Sequence, residues 1–247
     1  MNRIRKILVL GLLTLTSLNS CKKEEIPYFT GDNSANFWLH SLNHSLFGAS
    51  SAQLPQDTIV LNLSIVGEMA NYDRVVKAVV EEDAPGTAEA QRLTTATPNQ
   101  YKILDGIIPA NKLKGEIRVV VKNDDILATK EDLKLRIKMA DNKDFKIGLK
   151  ENNYINLKWS RLILQPSTWN GMRFFFCATY STQVYKIFME VTGLKQFYYY
   201  EGLVSVAEGY VMGTNFGNRV RELSQQQGSP LLHDDGPSKG LPIIPIY

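Results

Sequence analysis

Between residues 57 and 150, apolar side chains recur at every second position. Ile59, Leu61, Leu63 and Ile65 alternate with Val60, Asn62 and Ser64, and Val76, Ala78 and Val80 flank Lys77. Ile117, Val119 and Val121 alternate with Arg118 and Lys122, and Leu133, Leu135, Ile137 and Met139 with Lys134, Arg136 and Lys138. Successive side chains of a strand point to opposite faces, so each run predicts a strand with one buried and one wet face, as antiparallel sheets have. Asp83-Ala84-Pro85-Gly86, Asp105-Gly106 and Asn123-Asp124-Asp125 supply turn chemistry between them. The pattern predicts a mainly β fold, with a seven-strand immunoglobulin-like antiparallel sandwich over residues 57–150.

From residue 151 the period changes. Tyr154 to Leu164 and Met172 to Ala178 read as further strands. Tyr180, Val184, Tyr185, Phe188 and Val191 then recur at helical spacing, with Ser181 as N-cap and Gly193 as stop. A longer, weaker helix is expected from Leu203 to Gln227, interrupted by Gly209, Gly213 and Gly217, each costing about 1 kcal/mol relative to Ala. The segment from Gly228, rich in Gly, Pro and Asp, is expected to be a flexible tail. Residues 151–247 therefore predict a smaller α+β C-terminal unit. Residues 21–56 lack sustained periodicity and read as a tether, although Asn36 to Phe47 is apolar enough to pack as a strand or short helix.

Charge changes the picture at the N-terminus. Arg3, Arg5 and Lys6 are the only charges in residues 1–20, so removing them from 28 Lys+Arg leaves 25 cations against 25 anions. The basic excess that a nucleic-acid partner demands is absent from the remainder. The three cations precede an apolar run from Ile7 to about Leu18, shorter than the roughly 20 residues of a bilayer span, which reads as a secretory leader over residues 1–20. Leu18-Asn19-Ser20-Cys21 looks like a lipobox, the signal for acylating Cys21 (with palmitate, for example) and cleaving before it. Several acyl chains, at about 0.8 kcal/mol per buried methylene, make a durable outer-membrane anchor. Lys22-Lys23-Glu24-Glu25 resembles the lipoprotein export signal of Bacteroidota, which implies display on the cell exterior; a solvated linker is the plainer reading.

Chemistry-bearing residues are sparse. With Cys21 acylated, Cys177 has no disulfide partner and sits among phenylalanines as a small buried hydrophobe. His40 and His44 have the spacing of a helical metal pair but lack a third ligand, and His233 falls in the expected tail. Asp124, Asp125, Glu131 and Asp132 bracket a hairpin, where calcium binding and plain turn formation are both open. No nucleophile elbow, phosphate loop or ligand-spaced Cys/His cluster occurs, so the expectation is a non-catalytic protein without cofactor or metal. Trp169 and the run Tyr198, Tyr199, Tyr200 are the candidate binding residues, because aromatic faces stack on sugar rings or hold peptides. For Trp169, packing inward is the favoured alternative.

Several segments taken together resemble a known family: the lipobox, Tyr72-Asp73-Arg74, Ile107-Ile108-Pro109-Ala110, Pro166-Ser167-Thr168-Trp169-Asn170, and Tyr185-Lys186-Ile187-Phe188-Met189-Glu190-Val191-Thr192-Gly193. They are similar to Bacteroidota lipoproteins carrying the domain of unknown function numbered 4843, over nearly the whole mature chain. Asn170 and the glycine-bearing last helix depart from that family's pattern. The resemblance implies an accessory lipoprotein of a SusC/SusD-type nutrient importer that binds a glycan or peptide or docks on the importer, and it carries over no catalytic residue. A hydrolase trimming the nutrient and a surface adhesion or structural protein remain the alternatives.

Overall fold

The alternation is realised as strands. In the computed structural model, which describes residues 31–47 and 52–247, these are β1 (Ser34–Phe37), β2 (Ser41–Ser45), β3 (Gln56–Val66), β4 (Arg74–Val80), β5 (Tyr101–Ile103), β6 (Gly106–Ile108), β7 (Lys114–Lys122), β8 (Leu133–Ala140), β9 (Lys146–Ile147) and β10 (Tyr154–Ser160). Cys21 and Lys22 to Glu25 lie outside the described residues. The ladder runs β2-β10-β8-β4-β6-β7-β3-β1-β9, with β5 also on β7, and closes into two facing layers because β4 serves both. Its first half, Arg74–Val76, pairs with β6, and its second, Lys77–Val80, pairs with β8. The fold is mainly β, a sandwich followed by a small helical unit.

The residues that alternate in sequence fill the space between the layers. Ile59, Leu61, Leu63, Ile117, Val119, Val121, Leu133, Leu135 and Ile137 are all buried. The sandwich also takes in segments that the periodicity assigned elsewhere. Within the expected tether, Phe37, Leu42 and Leu46 are buried and β1 and β2 belong to the layers. The two strands are short because the chain crosses from one layer to the other between them: β1 pairs antiparallel with β3, β2 parallel with β10. Beyond residue 150, β10 pairs with β8, Ile155 facing Ile137 and Leu157 facing Leu135.

The C-terminal unit contains α1 (Trp169–Met172), α2 (Thr182–Thr192) and α3 (Val206–Gln227). The strand expected over Met172 to Ala178 is instead a helical turn and its continuation, with Phe175 and Phe176 N–H both donating to the Met172 carbonyl at 3.0 Å. A short apolar run is compatible with either form, and here burial on one side decides it. Phe176 meets the edges of Phe188, Phe197 and Phe216 at 4.9, 5.1 and 5.7 Å, forming the centre of a second core. Helix α2 follows its sequence signals: Ser181 Oγ accepts from Val184 N–H at 3.3 Å, and Gly193 ends the helix at φ +70°.

Two features of the C-terminal unit depart from expectation. Helix α3 is continuous, opened by a reciprocal Ser205–Glu208 capping box, because Gly209, Gly213 and Gly217 form one face against which Phe175 and the last residues pack. The segment after Gly228 is pinned down. His233 Nδ1 lies 2.9 Å from Ser181 Oγ, and Thr182 and Gln183 N–H donate to Asp235 and Asp234, each at 2.7 Å. Two carboxylates of the expected tail thus satisfy open N–H groups at the start of α2, where the helix favours negative charge, and His233 holds the capping Ser181 hydroxyl.

Candidate functional site

Two places gather chemistry-bearing side chains. The first is the seam between the sandwich and the helical unit. Strand β2 is the outermost of its layer, and its free edge is covered by side chains from residues 165–196. Asn43 N–H donates to Ser167 Oγ at 2.9 Å, Gln196 Nε2 donates to the Asn43 carbonyl at 2.9 Å, and Lys195 Nζ donates to the Ser45 carbonyl at 2.9 Å. Such capping removes the unpaired backbone that an exposed strand offers to other chains.

Lys195 Nζ also pairs with Asp57 Oδ2, which accepts from His44 Nε2 at 2.9 Å. His44 is buried, and burial lowers its pKa against the opposing effect of its hydrogen bond to Asp57. Burial pushes the Asp57 carboxyl up, but hydrogen bonds from His44 and Lys195 outweigh it and hold the group well below the usual range. The three side chains border a cavity of about 380 Å³. The sequence pairs His44 only with His40, because its true partners Asp57 and Lys195 lie 13 and 151 residues away.

The second place is a groove of about 370 Å³ on the helical unit. Tyr199, Tyr200 and Phe174 form one side and Tyr210 and Tyr247 the other, over the buried Phe175. The rings brace one another edge to face: Phe175 on Tyr199 at 4.9 Å, Tyr210 on Tyr247 at 4.9 Å, and Phe174 on Tyr200 at 6.4 Å. Tyr200 is 64% exposed and Phe174 52%, so much of their ring surface faces solvent. No side chain lining the groove is charged. Close approach makes the groove possible, since Gly209 and Gly213 let Phe175 lie directly against α3.

The candidate binding residues therefore divide. Tyr199 and Tyr200 enter the groove. Tyr198 turns toward the seam beside Leu61 and Asn62, where burial raises its pKa to about 12. Trp169 is 8% exposed and meets the Tyr180 ring edge-on at 5.3 Å, so it packs inward. Tyr210 and Tyr247 carry no local sequence signal, because they lie 37 residues apart and meet only through the fold. His40 is exposed beside Tyr154, apart from buried His44, and no three metal-ligating side chains converge among the described residues. Asp124 caps the short 3-10 helix at Ile126, Asp125 lies 3.5 Å from Arg161, and Asp132 lies 3.6 Å from Lys158.

Compared with known families, residues 36–194 match the model of a domain of unknown function, DUF4843. The chain belongs to the DUF4843 family. The match begins in β1 and ends just past α2, so α3 and every residue of the aromatic groove except Phe174 and Phe175 lie beyond it. No curated protein matches this DUF4843 chain in sequence. Among solved structures, it is similar to a candidate carbohydrate-binding protein from Bacteroides ovatus at 16% identity and TM-score 0.38, covering 53% of this chain and 37% of that one. A two-domain protein of unknown function from Bacteroides fragilis matches at 12% identity and TM-score 0.36, over 52% and 45% of the two chains. The apo form of the Calx CBD1 domain matches at 12% identity and TM-score 0.36, over 53% and 97%. The DUF4843 chain thus spans less than half the length of either Bacteroides protein.

Proposed function

We propose that this DUF4843 protein is a non-catalytic binding lipoprotein, anchored through Cys21 to the outer membrane and facing the cell exterior, which captures a glycan as an accessory to a SusC/SusD-type importer. The observation that carries the binding reading is the solvent-facing groove of Phe174, Tyr199, Tyr200, Tyr210 and Tyr247. Exposed aromatic rings offer contact area at low entropic cost, and their faces match the C–H faces of sugar rings. Its aromatic and aliphatic lining side chains favour a neutral saccharide. The lipobox and the Lys22 to Glu25 motif support the address, and the family resemblance supports the importer. The test is a glycan array probed with the purified protein: neutral oligosaccharides should be retained by the wild type and lost by Tyr200→Ala, whereas retention that ignores the groove would refute the reading.

A hydrolase is the second reading, favoured by the buried His44–Asp57 pair beside a cavity. The pairing itself argues for a structural role. Asp57 Oδ2 is shared between His44 and Lys195, and Oδ1 accepts the Thr58 N–H at 2.8 Å, so three donors hold the carboxylate in place across the seam. Among the described residues no hydroxyl or thiol is hydrogen-bonded to His44, as an activated nucleophile would be.

A further inference from the structure

Strand β1 covers only part of the edge of β3. It pairs with Leu63 to Val66, and Trp38 N–H then donates to the Asn62 carbonyl at 3.1 Å before the chain crosses to the other layer. That contact fixes the orientation of the backbone. Backbone groups of alternate residues point to the same side of a strand, so Thr58, Val60 and Asn62 turn toward the β1 side, and Asp57, Ile59 and Leu61 toward β7. The bonds of Ile65 N–H to Leu113 and of Asn123 N–H to the Pro55 carbonyl, both on the β7 side, agree with this phase. Thr58 N–H is taken by Asp57 Oδ1. Among the described residues, the Thr58 carbonyl and both backbone groups of Val60 are left without a strand partner, and Val60 is 37% exposed. They border the 380 Å³ cavity, whose far wall is formed by Leu194 to Gln196 and Tyr198.

We propose that this slot accepts an extended polypeptide segment of a partner protein, which adds to β3 as an antiparallel strand collinear with β1. Open N–H and C=O groups in register select a strand backbone, and side-chain alternation sets its sequence. The guest residue opposite Ile59 points inward over Leu42 and Leu194 and must be apolar. Its two neighbours, opposite Thr58 and Val60, face water and are polar. Asp57 and Lys195 close the slot with their charges mutually paired and His44 bonded to the same carboxylate, so the recognition is of backbone and shape rather than of charge.

The probe is a pentapeptide, Thr-Lys-Val-Lys-Thr, acetylated and amidated at its ends. With saturating peptide, hydrogen exchange at the Val60 amide of the full chain should slow by about tenfold or more. N-methylation of both lysines, which face the open groups of β3, should abolish the effect. N-methylation of the central valine, whose N–H points away, should leave it intact. Equal behaviour of the two methylated peptides, or no slowing with any of them, would overturn the proposal. So would a Val60 amide already protected in the free chain, because the slot would then be filled by the chain's own residues.

Discussion

Replacing Gly217 with Ala sets two physical effects against each other. In a helix interior, Gly→Ala ordinarily stabilises by about 1 kcal/mol. A Cβ at Gly217, however, would lie 1.9 Å from the Tyr247 carbonyl oxygen and 3.3 Å from Pro245 Cβ. The obstruction is backbone, so no side-chain rotation relieves it. The last residues would have to lift, against buried Ile243, the bond from Ile246 N–H to the Phe176 carbonyl at 2.9 Å, and the Cys177–Pro245 bridge. Overpacking costs about 1–3 kcal/mol, and a clash this close with backbone lies at the upper end, about 3 kcal/mol, which leaves a net loss of about 2 kcal/mol. For a body of this size that lowers the melting temperature by roughly 4–8 °C. Asn215→Ala, at an exposed position of the same helix, is the control and should gain a few tenths of a kcal/mol. Urea unfolding followed by circular dichroism measures both. A Gly217→Ala protein as stable as the wild type would refute the reasoning that the glycine face exists for close approach.

Acidification should destabilise the protein in two stages. Burial keeps His44 and His233 neutral, so the unfolded chain takes up protons first and stability falls as pH drops below about 6.5; Asp57, held low, adds a further loss below 3.8. Urea midpoints at pH 7.5 and 5.5 should differ, and less so in His44→Gln. Asp235→Ala removes the carboxylate that accepts from both the N–H and the hydroxyl of Thr182, and should cost about 0.5–2 kcal/mol in the same assay. Trp169→Ala should cost about 3–5 kcal/mol while leaving ligand binding at low temperature intact, since the indole is packed on Tyr180 away from the groove.

What the sequence revealed of the fold follows from how local each signal is. The alternation of Leu133 to Met139 and the Ser181 and Gly193 caps were legible because strand period and helix ends are set by residues a few positions apart. β1 and β2 were obscured by the crossing between layers, which interrupts the alternation after four and five residues. For α3, propensity predicts an interrupted helix because it counts the cost of Gly209, Gly213 and Gly217 and cannot see Phe175 and Tyr247 arriving against them. Composition predicts a flexible tail after Gly228 because it resembles a loop, whereas His233, Asp234 and Asp235 act on residues about 50 positions earlier. Of the groove, Tyr199 and Tyr200 stood out as an aromatic run, but Tyr210 and Tyr247 join them only through tertiary packing.

The most direct test of the binding claim is calorimetric titration of the wild type and of Tyr200→Ala with a neutral oligosaccharide retained on the array. Tyr200 is 64% exposed, so its loss should leave the melting temperature unchanged while weakening binding by about tenfold or more. Equal affinity of the two proteins, or no heat of binding with any neutral oligosaccharide, would contradict the account.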